Sequence, residues 1–155
     1  MSPSTVTTTS IPNSHYDLDF YAWTQEQANL LKIGRYDTLD LIHLIEEIED
    51  LGKREQRSLA SRLAVLIGHL LKWQYQFNYP HKKSWRATIN TQRRAIHKLL
   101  RDNPSLKPLT NDFIDDAYPD AVDLAVTETP LDYKDFPDTC PWTADKILGN
   151  FLPEE

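Results

Sequence analysis

Apolar residues in this chain recur every three or four positions, and no run of convincing length alternates apolar with polar. A period near 3.6 is the mark of helices packed by one face. In "WTQEQANLLKIG", Thr24 with Gln27 three residues on has the form of a capping box, and Gly34 is a natural stop. A second pattern starts near Asp37 or Thr38. Leu41, Ile45 and Ile48 set its stripe, flanked by Ile42, Leu44 and Leu51, and predict a core-facing side. Beyond Gly52 the stripe resumes in phase at Leu59, Leu63, Leu66, Ile67, Leu70 and Leu71. The spacing predicts two helices in line, or one long helix weakened at Gly52 by ~1 kcal/mol.

"NYPHKKS" reads as a loop. Ser84 is then a candidate cap for a helix to about Asp102, with Trp85, Ile89, Ile96, Leu99 and Leu100 as its apolar members. A further helix is expected over Leu106 to Ala117 with Pro108 in its first turn, and a short one from Pro119 to Thr127. The rest is proline-rich and predicts loops, with Thr143 opening a last short helix that ends at Gly149. Residues 1–15 are rich in Ser, Thr and Pro and predict a disordered tail. Residues 16–155 are expected to form a single helical domain. The fold class is therefore all-α: a compact helical bundle with long central helices and a loop-rich C-terminal segment.

Composition narrows the function classes. A 155-residue chain can bury one real core. No apolar run approaches the ~20 residues of a membrane helix, and the first residues lack the form of a secretory signal. One cysteine, Cys140, forms no internal disulfide and no cysteine-based zinc site, so a reducing cytoplasm is the expected compartment.

Charge is segregated. Residues 1–50 sum to −7, residues 51–101 to +11 and residues 102–155 to −10. Either the basic middle meets an external polyanion or the acidic flanks fold against it. Its candidate contacts are Lys82, Lys83, Arg86, Arg93, Arg94, Lys98 and Arg101, interleaved with Trp73, Tyr75, Phe77, Tyr79 and Trp85. Basic and aromatic residues together suit phosphates and stacked bases.

The acidic run Glu46-Glu47-Ile48-Glu49-Asp50 supplies weak metal candidates in Glu46, Glu47 and Asp50. It resembles, loosely, the Glu-Glu-x-x-acid signature of all-α nucleoside triphosphate pyrophosphatases, which implies metal-dependent nucleotide hydrolysis. This chain departs from that pattern: the following stretch carries Glu55 and is otherwise basic. A hard cation wants oxygens converging from several elements, whereas His43, Glu46, Glu47 and Asp50 fall opposite the apolar stripe and read as its wet side. The histidines lack metal spacing. No G-x-S-x-G, P-loop or dinucleotide fingerprint is present. His69 reads as a satisfied, semi-buried imidazole and Cys140 as a small packed residue.

"YDLDFYAWTQEQANLLKIGRYDTLDLIHLIEEIEDLGKREQRSLASRLAVLIGHLLKWQYQ", then "SWRATINTQRRAI", "AYPDA", "CPWT" and "FLPE", occur in order. They resemble the landmarks of the bacterial "domain of unknown function 29" family, over about residues 16–153. The resemblance implies a compact all-helical fold and brings no activity or catalytic residue with it. The expectation is a non-catalytic protein, without cofactor, that binds another protein. An antitoxin-like accessory role is one form, and a helix-mediated homodimer is compatible. Nucleic-acid binding through residues 72–101 is the alternative, and the acidic-helix hydrolase is the third reading.

Overall fold

The computed structural model describes residues 15–76 and 78–153. The tail expected over residues 1–15 therefore lies, except for His15, outside them. So does Phe77, one of the aromatic residues interleaved with the basic segment. The fold is all-α: α1 (His15–Leu18), α2 (Phe20–Lys32), α3 (Leu41–Tyr75), α4 (Lys82–Asp102), α5 (Thr110–Glu128) and α6 (Ala144–Leu148), with short 3-10 turns between them and no strand among the described residues. The backbone divides into two compact units, Met1–Leu51 and Gly52–Glu155.

In the first unit α2 starts earlier than Thr24 suggested. Asp19 is its N-cap, accepting from the Ala22 amide at 2.9 Å, while the Thr24 hydroxyl donates to the Tyr21 carbonyl inside the helix. Gly34, at φ 78°, ends the segment in the left-handed region where glycine costs least.

Gly52 does not break α3, which is helical from Leu41 to Tyr75. One glycine's helix penalty is small beside the packing of the residues around it. In the second unit Leu59, Leu63, Leu66, Ile67, Leu70 and Leu71 are fully buried, each worth roughly 1.5–3 kcal/mol against exposure. They share a core with Ile89, Ile96 and Leu100 of α4 and with Ile114 of α5. Small residues Ala117, Ala121 and Ala125 also turn one side of α5 inward. There α5 comes so close to α3 that a Cβ added at Gly68 would lie 2.8 Å from Leu124 Cδ2 and 3.1 Å from the Ala121 carbonyl.

Two expected boundaries move. The helix after the Pro80 loop begins at Lys82, with Ser84 donating its hydroxyl to the His81 carbonyl. The helices expected on either side of Pro119 are one, α5, because the proline's outer position costs a single backbone bond that the surrounding burial outweighs. Phe136, Trp142 and Ile147 of the loop-rich C-terminal segment complete the core.

Lys72 is the unusual core member. Its side chain is fully buried, its ammonium pairs with the Glu128 carboxylate, and it lies 4.7 Å from the centre of the Trp85 ring. A buried charge persists only with such partners. His69 donates Nδ1–H to the Val65 carbonyl at 2.8 Å, and burial holds its pKa below the ordinary histidine value, as a satisfied interior imidazole should be.

Candidate functional site

The first half of α3 reverses its expected orientation. Leu41, Ile42, Ile45, Ile48 and Leu51, expected to face or flank the core, are 54–67% exposed. His43 and Glu47, expected on the wet side, are partly covered. The cause lies in α1 and α2, which approach α3 with aromatic residues that carry polar tips. Tyr16 donates its hydroxyl to Glu47 Oε1 at 2.5 Å and stacks on the His43 ring, centroids 3.9 Å apart. Trp23 meets Tyr16 edge to face at 4.9 Å and donates Nε1–H to Asp40 at 3.0 Å. Buried Gln27 accepts from the Asp40 amide at 2.8 Å. Polar tips need polar partners when covered, so the ladder Asp40, His43, Glu47 is the side of α3 that this unit covers.

The network is a brace. Both Asp40 oxygens are engaged: one receives Trp23 and the His43 ring nitrogen at 2.6 Å, the other lies 3.5 Å from the His43 amide at the start of α3. Burial pushes the Asp40 carboxyl up, but these donors outweigh it and the pKa ends below the usual carboxylate range. The hydrogen bond to Asp40 raises the His43 pKa against a smaller opposing burial effect. The Tyr16 hydroxyl, bonded to Glu47, is pushed up to about 12 and stays a donor. An aspartate with its oxygens occupied and an imidazole capped by a tyrosine ring hold α1, α2 and α3 together. Neither presents a free base to a substrate.

Beside this brace lies a groove of about 580 Å³ lined by Trp23, Gln27, Thr38, Leu39, Leu41 and Ile42, with His15 and Glu26 joined at 3.1 Å on its rim. The uncovered stripe Leu41, Ile45, Ile48 runs on from it along α3, at the four-then-three spacing of a helix face. Of the acidic run, Glu46, Glu49 and Asp50 are exposed and Glu47 is tied to Tyr16. Among the described residues no three His, Cys, Asp or Glu side chains are arranged to hold a metal ion.

The basic candidates separate. Arg93 is buried and donates to main-chain carbonyls: Nε to Ile147 at 2.8 Å and Nη2 to Phe151 at 2.5 Å, with Lys146 at 3.4 Å. It ties the C-terminal segment to α4. Lys82 lies 5.0 Å from the centre of the Trp73 ring, and Lys98 pairs with Asp102 at 2.7 Å. Lys83, Arg86, Arg94 and Arg101 are exposed. The acidic flanks therefore reach into the basic block through Glu128 and Lys72, and leave much of α4 uncovered.

A family model, "Domain of unknown function DUF29", matches residues 15–152. The chain belongs to the DUF29 family. No curated protein and no solved structure matches it. Family membership agrees with the helical fold and assigns no chemistry to any DUF29 residue, so the site rests on its own geometry. Tyr16, Trp23, Gln27 and Asp40 went unnoticed among the sequence candidates. The signal for them was the 40, 43, 47 spacing of polar residues, preceded by two aromatic residues able to donate hydrogen bonds.

Proposed function

We propose that this DUF29 chain is a non-catalytic binding protein, and that its working surface is the uncovered apolar face at the start of α3 with the adjoining Trp23 groove. One observation carries the reading. Five large aliphatic residues on eleven consecutive positions are each more than half exposed, whereas soluble chains expose such residues singly. Exposed Glu46 and Glu49 stand beside the stripe, in a unit whose first fifty residues carry −7. The fitting partner is an amphipathic helix of another protein, with leucine-like residues at i, i+3, i+4, i+7 and Lys or Arg beside them. An accessory protein that masks such a helix is one concrete form.

The test uses two fluorescent helical peptides with the same leucine stripe, one flanked by Lys and Arg and one by Glu. The basic-flanked peptide is expected to bind, and the paired substitution Ile45→Ser with Ile48→Ser to weaken binding at least tenfold without lowering Tm. Equal binding of both peptides, or no effect of the substitutions, overturns the proposal. Concentration-dependent mass growth of the chain alone, lost in the same variant, would instead make a second copy the occupant.

A further inference from the structure

Helix α4 carries a second uncovered surface of different chemistry. Lys83, Arg86, Asn90, Arg94, His97 and Arg101 follow one another at intervals of three or four residues, and all six are exposed. They form one ladder along the helix, about 27 Å long at ~1.5 Å per residue. The opposite side of α4 is fixed in the core by Trp85, Ile89, Arg93, Ile96 and Leu100, so the ladder is held outward. Among the described residues Lys83 and Arg86 make no ion pair, and Arg94 reaches only the Thr91 hydroxyl, at 3.4 Å. His97 is held at its Nε2 by the Leu148 carbonyl, 2.6 Å away. The one carboxylate on α4, Asp102, belongs to Lys98. At the C-terminal end Asp145 shares a surface cavity with Arg101 and Lys107.

Arginine side chains left unpaired on a straight helical face match a row of phosphates, which the guanidinium meets two bonds at a time. Among the described residues, the aromatic side chains that suggested base stacking are engaged elsewhere. Trp85 is buried, Tyr79 stacks on it at 4.4 Å, and Trp73 lies under Lys82. With no open ring among its described residues, the face offers no platform there for single-stranded bases. A helix of about 10–12 Å fits the major groove of B-form DNA, about 12 Å wide, and is excluded from the deep, narrow groove of A-form RNA. The geometry points to a duplex-DNA contact surface on α4, in which Lys83, Arg86, Arg94 and Arg101 meet the phosphate backbone without reading sequence. Lys82, Arg93 and Lys98 take no part.

The experiment is fluorescence anisotropy with the full chain and a labelled DNA duplex of about 20 base pairs, starting near 50 mM salt and rising to 200 mM. Four phosphate contacts predict a log–log salt slope of about −3.6, a loss of affinity of roughly 100-fold over that range. Arg86→Gln and Arg94→Gln are each expected to reduce the slope by about 1, with Tm unchanged because both side chains are exposed. Asp145→Asn is expected to tighten binding. Lys98→Gln, at a paired residue, is expected to leave the slope as it is. Absence of binding near 50 mM salt, or a slope untouched by Arg86→Gln and Arg94→Gln together, overturns the proposal. Tighter binding to a single strand, an RNA duplex or vesicles of anionic lipid overturns it in favour of that ligand.

Discussion

Arg93→Met tests the division between structural and exposed arginines on α4. Methionine keeps most of the buried stem and removes the guanidinium. Two good bonds are lost, to the Ile147 and Phe151 carbonyls, with a weaker one to Lys146. Hydrogen bonds to a charged group are worth about 1.5–3 kcal/mol each. Against that gross ~3–6 kcal/mol stands the cost of holding a guanidinium at 6% exposure, the burial that also lowers its pKa. A net loss of ~3 kcal/mol is expected, which for a unit of this size lowers Tm by on the order of 10 °C. Urea unfolding followed by tryptophan fluorescence reads it, since Trp142 sits 6.2 Å from Phe151 in the segment that Arg93 anchors. Arg86→Met and Arg94→Met, at exposed positions, should stay within about 0.5 kcal/mol of wild type. The reasoning fails if Arg93→Met is as stable as the parent, or if the two exposed variants lose as much.

Three further outcomes follow from other parts of the molecule. A Cβ added at Gly52 meets nothing within 4 Å, so Gly52→Ala should gain ~1 kcal/mol of helix stability and slow amide exchange around residue 52; a loss would mean the glycine is needed for something else. Lys72→Ala, which empties a fully buried site, should cost about 2–5 kcal/mol, whereas Lys72→Met should cost far less because the Glu128 side chain is 48% exposed and can be hydrated; equal costs in denaturant titration would contradict this. The His43 imidazole should titrate by NMR above the ordinary value near 6.5 and return toward it in Asp40→Asn, since the Asp40 hydrogen bond is the main cause of its raised pKa. Because the folded His43 pKa is the higher one, the contribution of its protonation is present below about pH 6.5 while Asp40 stays ionised, and is lost as pH rises through the folded value. A midpoint unchanged by Asp40→Asn would refute that.

The helical class was legible because a 3.6-residue period over Leu59 to Leu71 leaves no other way to bury those side chains. The orientation of the first part of α3 was not. A hydrophobic stripe says which face prefers to be covered, not whether a neighbour is there to cover it. Here Tyr16 and Trp23 bring hydrogen-bond donors, which draw α1 and α2 to the carboxylates of Asp40 and Glu47. Arg93 was indistinguishable from Arg94 in a basic run. They differ because their side chains leave the helix about 100° apart, one into carbonyls of the C-terminal segment and one into water. The merger across Pro119 was hidden for a similar reason: the proline marks a local cost, and the core that outweighs it is remote in sequence.

The uncovered face of α3 is the centre of the account, and amide chemical-shift mapping tests it most directly. The labelled chain is titrated with the basic-flanked amphipathic peptide. The predicted result is a saturable set of shifts confined to residues 41–51 and the neighbours of Trp23, absent in the Ile45→Ser, Ile48→Ser variant. Shifts spread along Lys83 to Arg101, or none at saturating peptide, would contradict it.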